Sequence, residues 1–116
     1  MPNEVCAELV TVISCSVDDV WIGFLGYADD GNAARRFEDE VLTVLSRHGA
    51  EVRFRGHRRA GEPPEAPNEL HVLWFPSEAA FDAFLADPAR RDIVERHGEV
   101  FRSKVVARYE PITPGP

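Results

Sequence analysis

Apolar residues recur along this chain in two rhythms, one of period two and one close to 3.6, and the switches between them outline the elements. Ala7 to Val17 (AELVTVISCSV) is rich in β-branched residues and free of Gly and Pro, which predicts a strand. Asp18-Asp19 makes a turn, and Val20 to Tyr27 (VWIGFLGY) reads as a second strand. Gly23 and Gly26 within it mark a bulge or a close approach to the backbone. Asp29-Asp30-Gly31-Asn32 breaks the pattern and supplies N-cap candidates. From Ala33 to His48 the spacing becomes helical: Ala34, Phe37, Val41, Val44, Leu45 and His48 form one stripe. Arg35, Arg36, Glu38, Asp39, Glu40 and Arg47 cover the other side, and Gly49 stands where a left-handed cap is expected.

Glu51 to His57 alternates, with Val52 and Phe54 on one face and Glu51, Arg53, Arg55 and His57 on the other. A polar, Pro-rich loop runs from Arg58 to Asn68. The near-continuous apolar run Leu70 to Phe75 (LHVLWF) predicts a central strand. Pro76 ends it, and Ser77 can cap a helix whose stripe is Ala80, Phe81, Phe84 and Leu85. Asp87-Pro88 restarts a helical turn, with Pro at its first position and Ile93 and Val94 as apolar contacts. Lys104 to Glu110 is the last strand, and Pro111 to Pro116 a frayed tail.

Counted from Val20, the order is βαββαβ, an α+β domain with an extra N-terminal strand. The alternative, in which Leu9 to Ser16 is the first core strand and Val20 to Tyr27 an insertion, stays open. Two helices on one side of a four-stranded sheet leave the other side bare. A second copy of the chain is the commonest cover, so a homodimer is expected.

With 116 residues, 44% hydrophobic and 28% charged, the chain has the size and composition of one globular domain. A net charge of −7 argues against nucleic acid as a partner, although the basic knot Arg53 to Arg59 can steer a small anion. No apolar run approaches a membrane span, and Met1 to Glu4 lacks the basic start of a secretory leader, so a cytoplasmic location is the default expectation. Lys104 is the only Lys among the basic residues, the skew of GC-rich coding as in actinomycetes. Cys6 and Cys15 lie in one extended segment, roughly 30 Å apart and beyond disulfide reach.

Arg36 to Gly56 (RFEDEVLTVLSRHGAEVRFRG) and Leu73 to Arg90 (LWFPSEAAFDAFLADPAR) resemble the dimeric α/β-barrel superfamily of ferredoxin-like domains. The second stretch is similar to the strand–FPS–helix signature of a family of largely unassigned function, and to the equivalent helix of antibiotic-biosynthesis-monooxygenase-like proteins. The resemblance implies a dimer with sheets packed face to face. Each protomer then holds a pocket between sheet and helices, or on the barrel side of the sheet.

Strand alternation puts candidate chemistry on one face. With Val52 and Phe54 toward the helices, Arg53, Arg55 and His57 point away, and His71, Leu73 and Phe75 are expected to join them. Trp21, Gly23, Leu25 and Tyr27 make the matching set on the first core strand. His71, flanked by apolar residues, is the candidate acid–base group, with Arg53 beside it to stabilise an enolate or carboxylate. Arg55, Trp21, Tyr27, Leu73, Phe75 and His57 are the candidate substrate contacts. The competing reading has His71 bonded to a cross-strand partner and the arginines in solvent or in dimer salt bridges. His48 and His97 precede glycines at helix ends, where a capping role fits.

No His-x-His, His-Glu-x-x-His or paired-Cys spacing suggests a metal, and no Gly-rich phosphate loop or nucleophile elbow is present, so no cofactor is expected. The reading that results is a cofactor-independent enzyme of specialised metabolism, acting on a polyketide or aromatic substrate by proton transfer, cyclisation, isomerisation or oxygenation. A non-catalytic small-molecule binder and a dimerising interaction module are the alternatives.

Overall fold

The computed structural model describes residues 18–112; the expected strand Ala7 to Val17, both cysteines and the end of the tail lie outside them. Strand β1 (Val20–Tyr27) leads into helix α1 (Gly31–Val41), which tightens into a 3-10 segment (Leu42–His48). Strands β2 (Glu51–His57) and β3 (Glu69–Phe75) follow, then helices α2 (Glu78–Ala86) and α3 (Pro88–His97) and strand β4 (Ser103–Tyr109). The sheet order is β2-β3-β1-β4, and every neighbouring pair is antiparallel. This is the ferredoxin-like βαββαβ arrangement. Val20–Tyr27 pairs on both sides and is the first core strand, not an insertion.

Local chemistry accounts for the boundaries. The Asp30 side chain accepts a hydrogen bond from the Ala33 amide, and Gly49 closes the first helical segment at φ 70°, in the left-handed region. The tightening after Val41 coincides with the Thr43 and Ser46 hydroxyls, which donate to carbonyls three residues back, those of Glu40 and Thr43. Ser77 caps α2 and Asp87 caps α3, as the sequence implies.

Even-numbered residues of β1 and odd-numbered residues of β3 face the helices. Ile22, Leu73 and Phe75 there meet Ala34, Phe37, Val41, Val44 and Leu45 from the first helical segment and Phe81, Phe84 and Ile93 from the others. Phe75 is wholly buried, with the Phe81 ring 5.0 Å and the Phe84 ring 5.6 Å from it, and belongs to the core and not to a ligand site.

Strand β2 departs from the expected alternation. Its register with β3 shifts between Val52 and Phe54. A one-residue bulge exchanges the faces of everything beyond it. Val52 lies opposite Leu73 on the helix side, but Phe54 lies opposite Val72 on the bare side, while Arg55 and His57 lie opposite His71 and Glu69 on the helix side. The expectations that Phe54 faces the helices, and that Arg55, His57, His71, Leu73 and Phe75 turn away from them, are therefore corrected.

The bare face carries Trp21, Leu25, Phe54, Leu70, Val72, Trp74, Val105 and Tyr109. Phe54, Leu70, Val105 and Tyr109 are well exposed there.

Candidate functional site

A cavity of about 550 Å³ lies between the helix side of the sheet and the helices. Its floor is Ile22, Phe24, His71 and Leu73; Phe37, Glu38 and Val41 of α1 and Phe81 and Phe84 of α2 form its walls. Arg90 and Val94 of α3, with Val100 and Phe101 after it, complete the enclosure. Exposed Glu95, Glu99 and Lys104 stand at the rim. The lining is mostly apolar with a few polar groups, the character of a small-molecule site. Gly26 helps shape it from below: a Cβ there would fall 2.5 Å from the Phe101 ring and 2.9 Å from Phe24.

His71 is where β3 meets this cavity, almost closed off at 1% exposure. Its Nε2 lies 2.7 Å from Oε1 of Glu69, two residues back on the same face of the strand. Arg55 Nε donates to the same oxygen at 3.3 Å, and His57 Nδ1 is 2.5 Å from Oε2. Arg55 is itself tied to the Asp39 carboxylate at 2.7 Å and to the Arg35 carbonyl at 3.1 Å. Burial pushes the Glu69 carboxyl up, but the hydrogen bond to His71 and the charges of Arg55, His57 and His71 outweigh it, and Glu69 sits below the usual carboxylate range. An ionised Glu69 accepts from Nε2–H, which leaves Nδ1 as the ring nitrogen outside that bond. That nitrogen makes no hydrogen bond among the described residues.

Glu38 supplies the second titratable group. Its carboxyl lines the cavity at 5% exposure and makes no hydrogen bond among the described residues. Burial drives its pKa from 4.5 to about 7; the nearby charges of His71, Arg55 and Arg90 pull it down and that of Glu69 adds to the rise. A carboxyl with that value exchanges protons at neutral pH, as a general acid–base group must.

The guanidinium of Arg90 is the cation of the cavity. It lies 5.3 Å over the Phe84 ring, and Nη1 reaches the Leu85 carbonyl only at 3.5 Å. Its Nε is buried with no hydrogen-bond partner among the described residues. Desolvation lowers its pKa, against the charge of Glu38.

Of the expected site residues, His71 and Leu73 line this cavity, and Arg55 and His57 stand behind His71 through Glu69. Arg53 does not join them. It lies on the bare face, 4.9 Å over the Trp21 ring and paired with Glu51, so the sheet separates it from His71. Trp21 lines a second hollow of about 410 Å³ on that face, with Leu25, Leu70 and Tyr109. Tyr27, at the end of β1 opposite Ser103, lines neither. The convergence of Arg53, Trp21 and Tyr27 on His71 is therefore corrected: the register places Trp21 against Trp74 and leaves Phe24 against His71. His48 and His97 pair with Asp87 and Glu40, each at 2.7 Å, in the last turns of their segments.

Sequence patterns alone did not single out Glu38, Glu69 or Arg90. Each carried a signal. Glu38, expected on the polar side of its helix, is instead buried: it is four residues after Ala34 and three before Val41, which puts it on the apolar stripe. Glu69 is two residues from His71 in a period-two strand, and Arg90 is three before Ile93 and four before Val94.

Among solved structures, several share this architecture. The fold is that of ferredoxin-like proteins. A protein of unknown function from Rhodopseudomonas palustris is 19% identical with a TM-score of 0.65, covering 98% of this chain and 96% of that one. A mutant form of SnoaB, a cofactor-independent oxygenase from Streptomyces nogalater, is 11% identical (TM-score 0.60; 86% and 99% covered). A Dabb family protein with a ferredoxin-like fold from Mesorhizobium loti is 16% identical (TM-score 0.58; 83% and 99% covered). No protein-family model matches the chain, and no curated protein matches it significantly. No helix among the described residues is long and apolar enough to cross a membrane.

Proposed function

We propose that this ferredoxin-like chain is an enzyme that moves a proton on a small, largely apolar carbonyl compound without a cofactor, in the cavity between sheet and helices. The observation that carries the reading is Glu38: a carboxyl without a hydrogen-bond partner among the described residues, on an apolar wall and held near pKa 7 by burial. Glu38 takes the proton from a C–H bond next to the carbonyl, and the electron pair stays on the substrate as an enolate. Return of the proton at another carbon is isomerisation, and attack of the enolate on a second carbonyl is cyclisation. Reaction of the same carbanion with dioxygen is oxygenation, and SnoaB, a cofactor-independent oxygenase of the same fold, supports including that outcome. His71, fixed through Nε2 by Glu69, offers Nδ1 as the second proton site.

The working unit is a homodimer that covers the bare sheet face, supported by the exposed apolar side chains Phe54, Leu70, Val105 and Tyr109 on it. A binder without turnover is the second reading, favoured by how little of His71 is accessible.

Deuterium uptake from D2O into a panel of aryl 1,3-diketones and aryl β-keto acids, followed by NMR, tests the assignment. The native protein is expected to speed exchange for at least one compound, and Glu38→Gln to slow it by about 100-fold or more. Exchange at the native rate in Glu38→Gln would remove Glu38 from the mechanism. Binding without any exchange would leave the binder.

A further inference from the structure

The cavity's charge balance identifies one end of its ligand. Arg90 is a desolvated guanidinium with no ion pair among the described residues, and its Nε is a wholly buried nitrogen that lacks a hydrogen-bond partner among them. Leaving a donor of a charged group unmade in a buried place is costly, and native structures satisfy nearly all of them. The groups already in place do not fill the gap. Nη1 has only the distant Leu85 carbonyl, the Phe84 ring covers one face of the guanidinium, and Glu38 makes no hydrogen bond to it. Nε and Nη2 are without hydrogen-bond partners among the described residues, two parallel N–H donors at the spacing of two carboxylate oxygens.

We infer that Arg90 is the anchor for a carboxylate, so that the ligand is an apolar, ring-sized molecule carrying a carboxylate at the end that enters beside α3. This deepens the function proposed above and rests on the same cavity being the ligand site, but it concerns binding and needs no turnover. The volume of about 550 Å³ holds a fused aromatic ring system. The apolar walls Phe37, Leu73, Phe81 and Phe84 take the rings, and the carboxylate completes the hydrogen bonding of Arg90.

Calorimetric or NMR titration with 2-naphthoate and with 2-naphthalenemethanol, which lacks only the charge, tests this. The native protein is expected to bind the acid about 10- to 100-fold more tightly than the alcohol. Arg90→Met is expected to bind the two equally, and Arg90→Lys to recover part of the preference, since an ammonium supplies charge without the planar fork. Thermal melting of both variants separates loss of preference from loss of fold. Equal binding of acid and alcohol by the native protein, an undiminished preference in Arg90→Met, or no binding of either compound at millimolar concentration would each overturn the inference. Failure here leaves the deuterium exchange assigned to Glu38 untouched, and loss of that exchange leaves the acid preference to be read independently.

Discussion

Glu69 and His71, two residues apart on β3, hold Oε1 and Nε2 2.7 Å from each other on the helix side of the sheet, and both side chains are almost wholly buried. Glu69 also takes Arg55 and His57, so one carboxylate gathers three partners from two strands. Glu69→Gln keeps the shape and removes the charge that these partners share. It is expected to cost about 3 kcal/mol in urea denaturation, because a buried pair is broken on one side only. Glu51→Gln, which releases the exposed 3.4 Å pair with Arg53, is expected to change stability by less than about 0.5 kcal/mol. Equal effects of the two substitutions would deny Glu69 its organising place.

Gly26 admits the Phe101 and Phe24 rings against the β1 backbone. Gly26→Ala is expected to lose about 1–3 kcal/mol by overpacking, and to perturb the NMR signals of both rings. Gly23 faces the exposed Tyr109 ring on the other side, which can swing away, so Gly23→Ala is expected to cost less.

On the bare face, Leu70 is 41% exposed and lies between Gly56 and Leu25 across the neighbouring strands. Leu70→Glu places a charge where the second copy is expected to dock. Sedimentation at micromolar concentration should find a dimer for the native chain and a monomer for the variant. A native monomer would refute the dimer.

The raised pKa of Glu38 also predicts a pH dependence with a definite sign. Below about pH 4.5 the group is protonated in both folded and unfolded chains and costs nothing. As pH rises from 4.5 to about 7 the unfolded chain ionises first, so the fold loses stability, and the loss is complete above that interval. Its size is about 3 kcal/mol. Glu69 contributes the opposite trend, because its lowered pKa gives stability that disappears as pH falls. Comparison of the native chain with Glu38→Gln isolates the first effect: the variant's advantage should grow by about 3 kcal/mol between pH 4 and pH 8. A constant difference would contradict it.

The βαββαβ succession of elements, the helix starts at Asp30, Ser77 and Asp87 and the central place of β3 were legible in the sequence, because caps, prolines and hydrophobic period are local signals. The faces of β2 were not. Val52, Phe54, Arg55 and His57 obey a simple alternation on paper, and a single bulge near Arg53 moves the last three across the sheet. That shift brings Arg55 to His71 and leaves Arg53 over Trp21. Glu38 was hidden for a different reason: its acidic neighbours Asp39 and Glu40 are solvated, and charge type alone does not separate a buried carboxyl from an exposed one.

The proposed proton transfer depends on a Glu38 carboxyl that titrates near neutrality, basic enough to take a proton and ionised often enough to do so. Titration of the ¹³C-labelled glutamate side chains by NMR, with Glu38→Gln to assign the signal, reads this directly. A midpoint close to pH 7 is expected for Glu38, well above that of the exposed glutamates. A midpoint near 4.5 would mean that water reaches the carboxyl freely, and the proton-transfer site would not exist.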